Sequence, residues 1–259
     1  MISARSLATS AFVVVITTAG GFITVFLRAF DKSGDSVIDF ARLWSRLILY
    51  VGGVKVSAEA RAPLDPNQPY VFLANHESAA DIWAVYATLP VRVRMVAKKQ
   101  LARIPVFGWA LWAGRYILVD NRGKSPKTTR RSMTEAHRRI RSGHSILVFP
   151  EGTRSRDGTL GEFKRGGIQL AIDARVPIVP VAIHGTRRLM PRGGLLLRSG
   201  EIRVEIGAPI SPDDMDGSWR DVGARLHEQI AEMLRRGSPV TTKSAAVAPR
   251  VQEPTDARL

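Results

Sequence analysis

At 259 residues the chain is long enough for one α/β domain with a full core and appended segments, and with no cysteine it has neither disulfides nor thiolate metal sites. Its net charge of +15 is unevenly spread: residues 92–192 hold 22 Lys and Arg against 6 Asp and Glu. Such a basic surface implies an anionic partner, whether a phospholipid surface, a phosphorylated substrate, an acidic protein or nucleic acid.

The first predicted element is Leu7 to Leu27, 21 residues without a charge. As a helix it would be about 32 Å long, enough to cross a bilayer core. Thr9, Ser10, Thr17, Thr18 and Thr24 dilute it, and Gly20-Gly21 interrupts it. A signal peptide would use Arg5 and Ala11 to Ile16, but no clean cleavage signal follows. A transmembrane anchor fits the length. A helix that enters one leaflet and turns back near Gly20-Gly21 fits the glycines, because a second apolar helix follows over Val37–Val51. Two core helices of a soluble protein are the plain alternative. Membrane attachment is the expectation, and if the segment spans, Arg28, Lys32, Arg42 and Arg46 against a lone Arg5 place the rest in the cytoplasm.

Arg61 to Pro69 reads as a connector rich in proline. Beyond it, strands are predicted at Tyr70–Ala74, Val91–Ala97, Tyr116–Val119, Ser145–Phe149, Ile178–Ile183 and Glu201–Ile206, with helices at Ala79–Leu89, Pro126–Arg141, Lys164–Ala174 and Trp219–Arg235. Ser125 is a candidate N-cap ahead of Pro126, and Ser218 with Asp221 a candidate capping box. Phe107 and Trp109 are expected to form a buried aromatic corner, and Pro180 to mark an edge or bulge. The fold class is α/β: a mixed, largely parallel sheet flanked by helices and preceded by two membrane-associated helices. The predicted organisation is N-terminal helices over 1–60, a globular domain over 61–237 and a disordered tail over 238–259.

Two segments carry the chemistry. Asn75-His76-Glu77-Ser78-Ala79-Ala80-Asp81 and Phe149-Pro150-Glu151-Gly152-Thr153-Arg154-Ser155 each begin where an apolar strand ends, the place where α/β proteins put reactive loops. His76 is a candidate general base, and Asp81 the carboxylate that could fix its tautomer. On one straight helix, positions five apart diverge by about 140°. The pair can meet only if His76 is on the loop and Asp81 in the first turn, reaching back. The competing reading is that Asn75 and His76 merely cap the helix and Asp81 favours its positive end. In the second segment Gly152 would allow close backbone approach, Thr153 offers a hydroxyl and Arg154 a bidentate fork for phosphate. Glu151 would bond a substrate hydroxyl or hold Arg154; an ordinary polar turn with a surface Glu–Arg pair is the alternative. Lys98, Lys99 and Arg122 are further cations of undecided role. His137, His144, His184 and His227 show no metal-ligand spacing.

Taken in order, Asn75-His76 to Asp81, Lys99 to Trp109 with Gly114 to Arg122, Phe149 to Ser155, Phe163-Lys164 with Gly166, and Val179-Pro180-Val181 resemble the glycerolipid acyltransferases, whose best-known members are the 1-acylglycerol-3-phosphate (lysophosphatidic acid) acyltransferases. Two positions depart from the family pattern: Gln100, where many members have an acid, and Glu77, where many have glutamine. The resemblance implies that 61–237 is an acyltransferase domain, with His76 and Asp81 catalytic and Glu151, Gly152, Thr153, Arg154, Lys99 and Arg122 binding substrate. It implies lysophosphatidic acid as acceptor, acyl-CoA or acyl-carrier protein as co-substrate, anionic membrane lipids as partners, and neither a metal nor another cofactor. Rival functions are acylation of another lyso-lipid, a lipid hydrolase or transacylase using the same pair, and a non-enzymatic basic binder. Nucleic acid is not expected, because the Arg-rich helix 126–141 carries no aromatic residue.

Overall fold

The computed structural model describes residues 4–120, 126–194 and 196–237. Helices α1 (Ala4–Phe30) and α2 (Asp35–Val51) form a hairpin. It is closed by Asp31, whose Oδ1 accepts the amides of Ser33 and Gly34 and whose Oδ2 accepts that of Ser36. Gly34, at φ 82°, takes a backbone conformation that other residues adopt only with strain. The chain therefore turns back at 31–34, not at Gly20-Gly21, which lie inside a continuous helix. These glycines serve close packing instead: a Cβ on Gly20 would lie 3.1 Å from the Phe40 ring, and one on Gly21 2.0 Å from Val106 Cγ1.

Strand β1 (Val54–Ala60) follows directly. Grouped with the N-terminal helices in the sequence reading, these residues are instead an edge strand of the sheet. Strand β2 (Val71–Ala74), helix α3 (Ala80–Thr88) and strand β3 (Val93–Lys98) come next. A short 3₁₀ turn at Lys99–Arg103 leads into α4 (Phe107–Ala113), then β4 (Ile117–Val119), α5 (Pro126–Arg141) and β5 (Ser145–Val148). The last part holds α6 (Arg165–Ala174), β6 (Ile178–His184), α7 (Thr186–Leu189), β7 (Gly200–Ile206), a 3₁₀ turn at Pro212–Asp214 and α8 (Trp219–Arg236). The expected capping box closes α8, with Ser218 Oγ accepting the Asp221 amide and Asp221 accepting the Ser218 amide. Ser125, Arg122 and the 238–259 tail lie outside the described residues.

The seven strands run β1-β7-β6-β2-β5-β3-β4, all neighbours parallel except β6 and β7. This is the mixed, largely parallel sheet expected from the sequence. Helices α2, α3 and α7 cover one face, with Ile38, Ile48, Val85 and Leu189 against Phe72, Val179 and Val204. Helices α5, α6 and α8 cover the other, with Ile140, Ile168, Leu226 and Ile230 against Val71, Ile146 and Ile178. Strand β2 is buried on both faces, which accounts for its unbroken apolar run. Pro180 lies within central β6 and not at an edge. Pro180 is paired with Leu73 of β2, but the β7 register ends at Val181 and Ile206; on that side Pro180 contributes its carbonyl to the Gly207 amide, so its missing N–H interrupts no position paired with β7.

The helical hairpin is fastened to the sheet by charge. Arg94 on β3 is fully buried, and one guanidinium nitrogen reaches Asp35 at 2.6 Å and the Ser33 carbonyl at 3.2 Å. Arg42 and Arg46 donate to the carbonyls of Leu89 and Ala87 at the end of α3, where the helix dipole favours cations. Removing one partner of a buried pair strands the other. Asp35→Ala is therefore expected to cost about 3 kcal/mol, the low end for such pairs because Asp35 keeps some water contact. For a chain of this size that lowers Tm by roughly 6–12 °C. Asp39→Ala, which breaks the exposed bond to Arg92, should cost less than about 1 kcal/mol. Thermal unfolding followed by circular dichroism checks the contrast, and equal losses would contradict it.

Candidate active site

The carboxyl ends of β2, β5 and β3 open onto one cavity of about 890 Å3. Strand β2 delivers Asn75 and His76 to its rim. Asn75 continues the sheet by side chain, its amide donating to the Ile183 carbonyl and accepting the Ile183 amide on β6. That leaves His76 on the loop, and α3 begins four residues later.

The geometry the spacing requires is present. Asp81, in the first turn of α3 and fully buried, reaches back so that its Oδ2 lies 2.7 Å from His76 Nδ1. The same oxygen accepts the amides of Glu77 and Ser78, both at 2.8 Å. Ser78 Oγ in turn accepts the Ala80 amide and donates to the Met190 carbonyl, completing a capping-box-like turn. A carboxylate only accepts, so the ring hydrogen is on Nδ1 and Nε2 is left as the basic nitrogen available to the cavity. The imidazole is also stacked on the Phe149 ring, centroids 4.0 Å apart at 15°. Ring position, tilt and tautomer are all fixed.

The second segment is joined to the first. Glu151 is buried, with Oε1 accepting the His76 amide at 2.8 Å and Oε2 the Gly161 amide at 3.0 Å. The Ser155 amide donates to the His76 carbonyl at 2.7 Å. Each oxygen of Glu151 thus accepts one backbone amide, and the residue clamps the two loops together at the cavity's rim. Burial pushes its carboxyl above the usual range, opposed by these bonds.

Gly152, Thr153 and Arg154 line the cavity as expected, beside His76. Gly152 has φ 70°, and a Cβ there would lie 2.7 Å from Lys164 Nζ, so glycine both makes the turn and admits the lysine. Lys164, Arg192 and Lys98 line the same cavity, giving it four cations with Arg154. Lys99, on the 3₁₀ turn, does not line it; Lys98, the last residue of β3 and equally exposed, does. Arg122 lies outside the described residues. Arg192 also donates to the Arg154 carbonyl at 3.1 Å, and Arg187 to that of Arg156 at 2.9 Å, bracing the loop from α7 and the turn after it. No motif marks Arg192 or Arg187 in the sequence; they reach the site through the β6–α7 connection. Away from the cations the cavity is apolar, walled by Phe40, Trp44, Ile82, Trp83 and Leu111 and reaching Tyr86.

Glu77, beside His76, is the one carboxyl near the base without a committed backbone partner among the described contacts. Burial pushes it up to about 7, reinforced by Asp81 and Glu151 and opposed by Arg187.

Residues 54–184 match the family described as Acyltransferase. The chain is 32% identical over 200 residues to the chloroplastic 1-acyl-sn-glycerol-3-phosphate acyltransferase BAT2 of Brassica napus, covering 76% of this chain and 56% of that one. It is 31% identical over 179 residues to 1-acyl-sn-glycerol-3-phosphate acyltransferase alpha of Homo sapiens, covering 67% and 63%. It thus spans less than two thirds of the length of these relatives. The crystal structure of the 1-acyl-sn-glycerophosphate (LPA) acyltransferase PlsC from Thermotoga maritima shares the fold, with a TM-score of 0.78 and 24% identity over 92% of this chain and 98% of that one.

The Glu77 environment predicts a pH-dependent stability. A carboxyl raised from 4.5 to about 7 holds its proton more tightly in the folded chain than in the unfolded one. Its favourable contribution is complete below about pH 4.5 and is lost as pH rises through about 7. Glu77→Gln removes that loss. The variant should match wild type near pH 4.5 and exceed it in Tm at pH 8. A constant difference across that range would show that Glu77 does not titrate there.

Proposed function

The chain belongs to the acyltransferase family, and on that premise we propose that it moves a fatty acyl group from acyl-CoA or acyl-carrier protein to the free hydroxyl of lysophosphatidic acid, giving phosphatidic acid. The observation that carries the reading is that a carboxylate-oriented histidine and four cations line one largely apolar cavity.

Each part has a task. Arg154, Lys164, Arg192 and Lys98 hold the acceptor's phosphate, with Arg154 supplying the planar fork. The apolar walls take fatty acyl chain. His76 Nε2 removes the proton of the hydroxyl as its oxygen bonds to the thioester carbonyl carbon. Asp81 stabilises the imidazolium that forms. The tetrahedral adduct then breaks its carbon–sulfur bond, and the departing thiolate receives the proton from His76. Ester and thiol are the products, the base is regenerated, and no acyl-enzyme is needed. The four cations favour a phosphate-bearing acceptor over a lyso-lipid without one.

The same reading places the protein on a membrane. Helix α1 includes a stretch, Ala8–Phe30, long and apolar enough to cross a bilayer, and little of it is buried. Cations gathered after it at Arg28, Lys32, Arg42 and Arg46 put the catalytic domain on the cytoplasmic side, against anionic lipid.

The test is an assay of the purified protein with labelled acyl-CoA and a panel of lyso-lipid acceptors. Lysophosphatidic acid should be preferred, and His76→Ala should abolish most turnover. A charge-assisted bond is worth roughly 1.5–3 kcal/mol. Arg154→Ala should therefore lower kcat/KM for lysophosphatidic acid about 10- to 100-fold. Arg154→Lys should recover part of the loss, with the KM for acyl-CoA moving much less. Preference for an acceptor without phosphate, or an effect of Arg154→Ala confined to the donor, would overturn the phosphate assignment.

A further inference from the structure

Single apolar side chains on a protein surface need no explanation, but contiguous ones do. Among the described residues, every large hydrophobic side chain left exposed belongs to α1, to α2 or to the segment 104–112. The third group is unexpected. Its members are Ile104 and two residues of α4, Trp109 and Trp112, which are 44% and 63% exposed. The corner expected to bury Trp109 instead presents it.

The helix is amphipathic in the literal sense. Gly108, Leu111 and Ala113 are buried beneath it, while Trp109 and Trp112, three residues apart, share the outer face. That face is continuous with α1. The Phe22 ring meets Trp109 edge-on at 5.6 Å, and the Arg28 guanidinium lies over Trp112 at 5.5 Å. The helix is also held there firmly. Val106 has φ 66°, rare for a β-branched residue, in a tight turn closed by the Phe107 amide on the Pro105 carbonyl at 2.7 Å. This strained turn sets the Val106 side chain into the space that Gly21 of α1 leaves open. Helices α1 and α4 are therefore packed tightly side by side.

We infer that α4 is a third bilayer-contacting element, seated beside α1 at the surface of an anionic membrane with Trp109 and Trp112 at the boundary between headgroups and acyl chains. Tryptophan favours that boundary because its ring is apolar and its N–H polar. Charge selects the occupant. The segment 98–115 carries Lys98, Lys99, Arg103 and Arg115 and no carboxylate, and Arg28 and Lys32 close the end of α1. Of these, Lys99 and Arg103 are exposed on the turn before α4 and Arg28 lies over Trp112, so positive charge flanks the exposed aromatic residues and is complementary to anionic headgroups. The seating has a consequence for substrate. Gly21 and Thr24 of α1 and Val106, Phe107 and Ala110 at α4 line the cavity, so the wall between these helices separates bilayer from active site. A lipid held at this boundary therefore has its headgroup beside the wall of the cavity that contains His76.

The absence of cysteine makes a single reporter possible. Trp112→Cys and, on the exposed connector, Asn67→Cys are each labelled with an environment-sensitive fluorophore in the full chain. They are mixed with phosphatidylcholine–phosphatidylglycerol vesicles, and with the same vesicles carrying brominated acyl chains. The probe at 112 should shift to the blue and be quenched by the brominated chains, and the probe at 67 should do neither. An unquenched probe at 112 on protein that sediments with the vesicles would overturn the inference, leaving α1 as the anchor. A shift that follows protein concentration and not lipid would overturn it in favour of a second copy. This readout needs no turnover, so it stands apart from the acylation reading. As a second measurement, Trp109→Ser/Trp112→Ser should lower acylation of a vesicle-embedded acceptor at least about threefold and leave that of a monomeric short-chain acceptor unchanged. Equal loss on both acceptors would place the tryptophans' effect in the fold or the site and count against the bilayer seating.

Discussion

One buried oxygen organises the reactive end of this molecule. Asp81 Oδ2 gathers the ring hydrogen of His76 and the amides of Glu77 and Ser78, so the acid that orients the base also shapes the loop that carries it. A loop residue would otherwise sample many positions, and ordering it costs conformational entropy. Here the cost is met in folding, through a charge-assisted cluster shielded from water. The five-residue spacing follows from this. Any shorter separation would leave no room for the turn that starts α3, and on one helix the two side chains would face apart.

The second loop depends on the first. Glu151 holds the His76 amide, the Ser155 amide holds the His76 carbonyl, and Gly152, Thr153 and Arg154 lie between these two bonds. Loss of either loop's position displaces the other, and the base and the cation cluster are kept in register. Three carboxyls, Glu77, Asp81 and Glu151, surround one imidazole. Asp81 and Glu151 accept backbone amides, whereas burial raises Glu77 toward neutrality. The sheet's contribution is to bring the ends of β2, β5 and β3 side by side, so that segments 75 residues apart meet at one rim.

Much of this was legible in the chain itself. Buried strands such as Val71–Ala74 and Ser145–Val148 are apolar on both faces, and the reactive loops directly after them could be located from that pattern alone. What escaped was decided by partners remote in sequence. Strand β1 does alternate, Val54, Val56, Ala58 and Ala60 against Lys55, Ser57 and Glu59, but only Val54 is buried and its partner β7 is remote in sequence, so in the sequence the segment groups with the N-terminal helices. Helix α4 lies between Pro105 and Gly114 and contains Gly108, all of which read as turn residues, and its Trp109 meets Phe22 of the sequence-remote α1. Gly20-Gly21 look like a break and are a packing surface. Glu151 has the chemistry of a ligand, and only the His76 and Gly161 amides show that its oxygens are used. Lys164 and Arg192 join the cation cluster through the fold, and no local pattern distinguishes them from other surface cations.

The central claim is that Asp81 holds His76 in the tautomer that keeps Nε2 free to accept a proton. Nitrogen-15 NMR of ring-labelled histidine, assigned through the loss of one signal in His76→Gln, reads this directly. The account predicts that in the neutral ring Nδ1 of His76 carries the hydrogen and Nε2 does not, and that Asp81→Asn mixes or reverses the two. A His76 whose Nε2 bears the hydrogen in the wild-type protein, or whose tautomer is unchanged by Asp81→Asn, would contradict it.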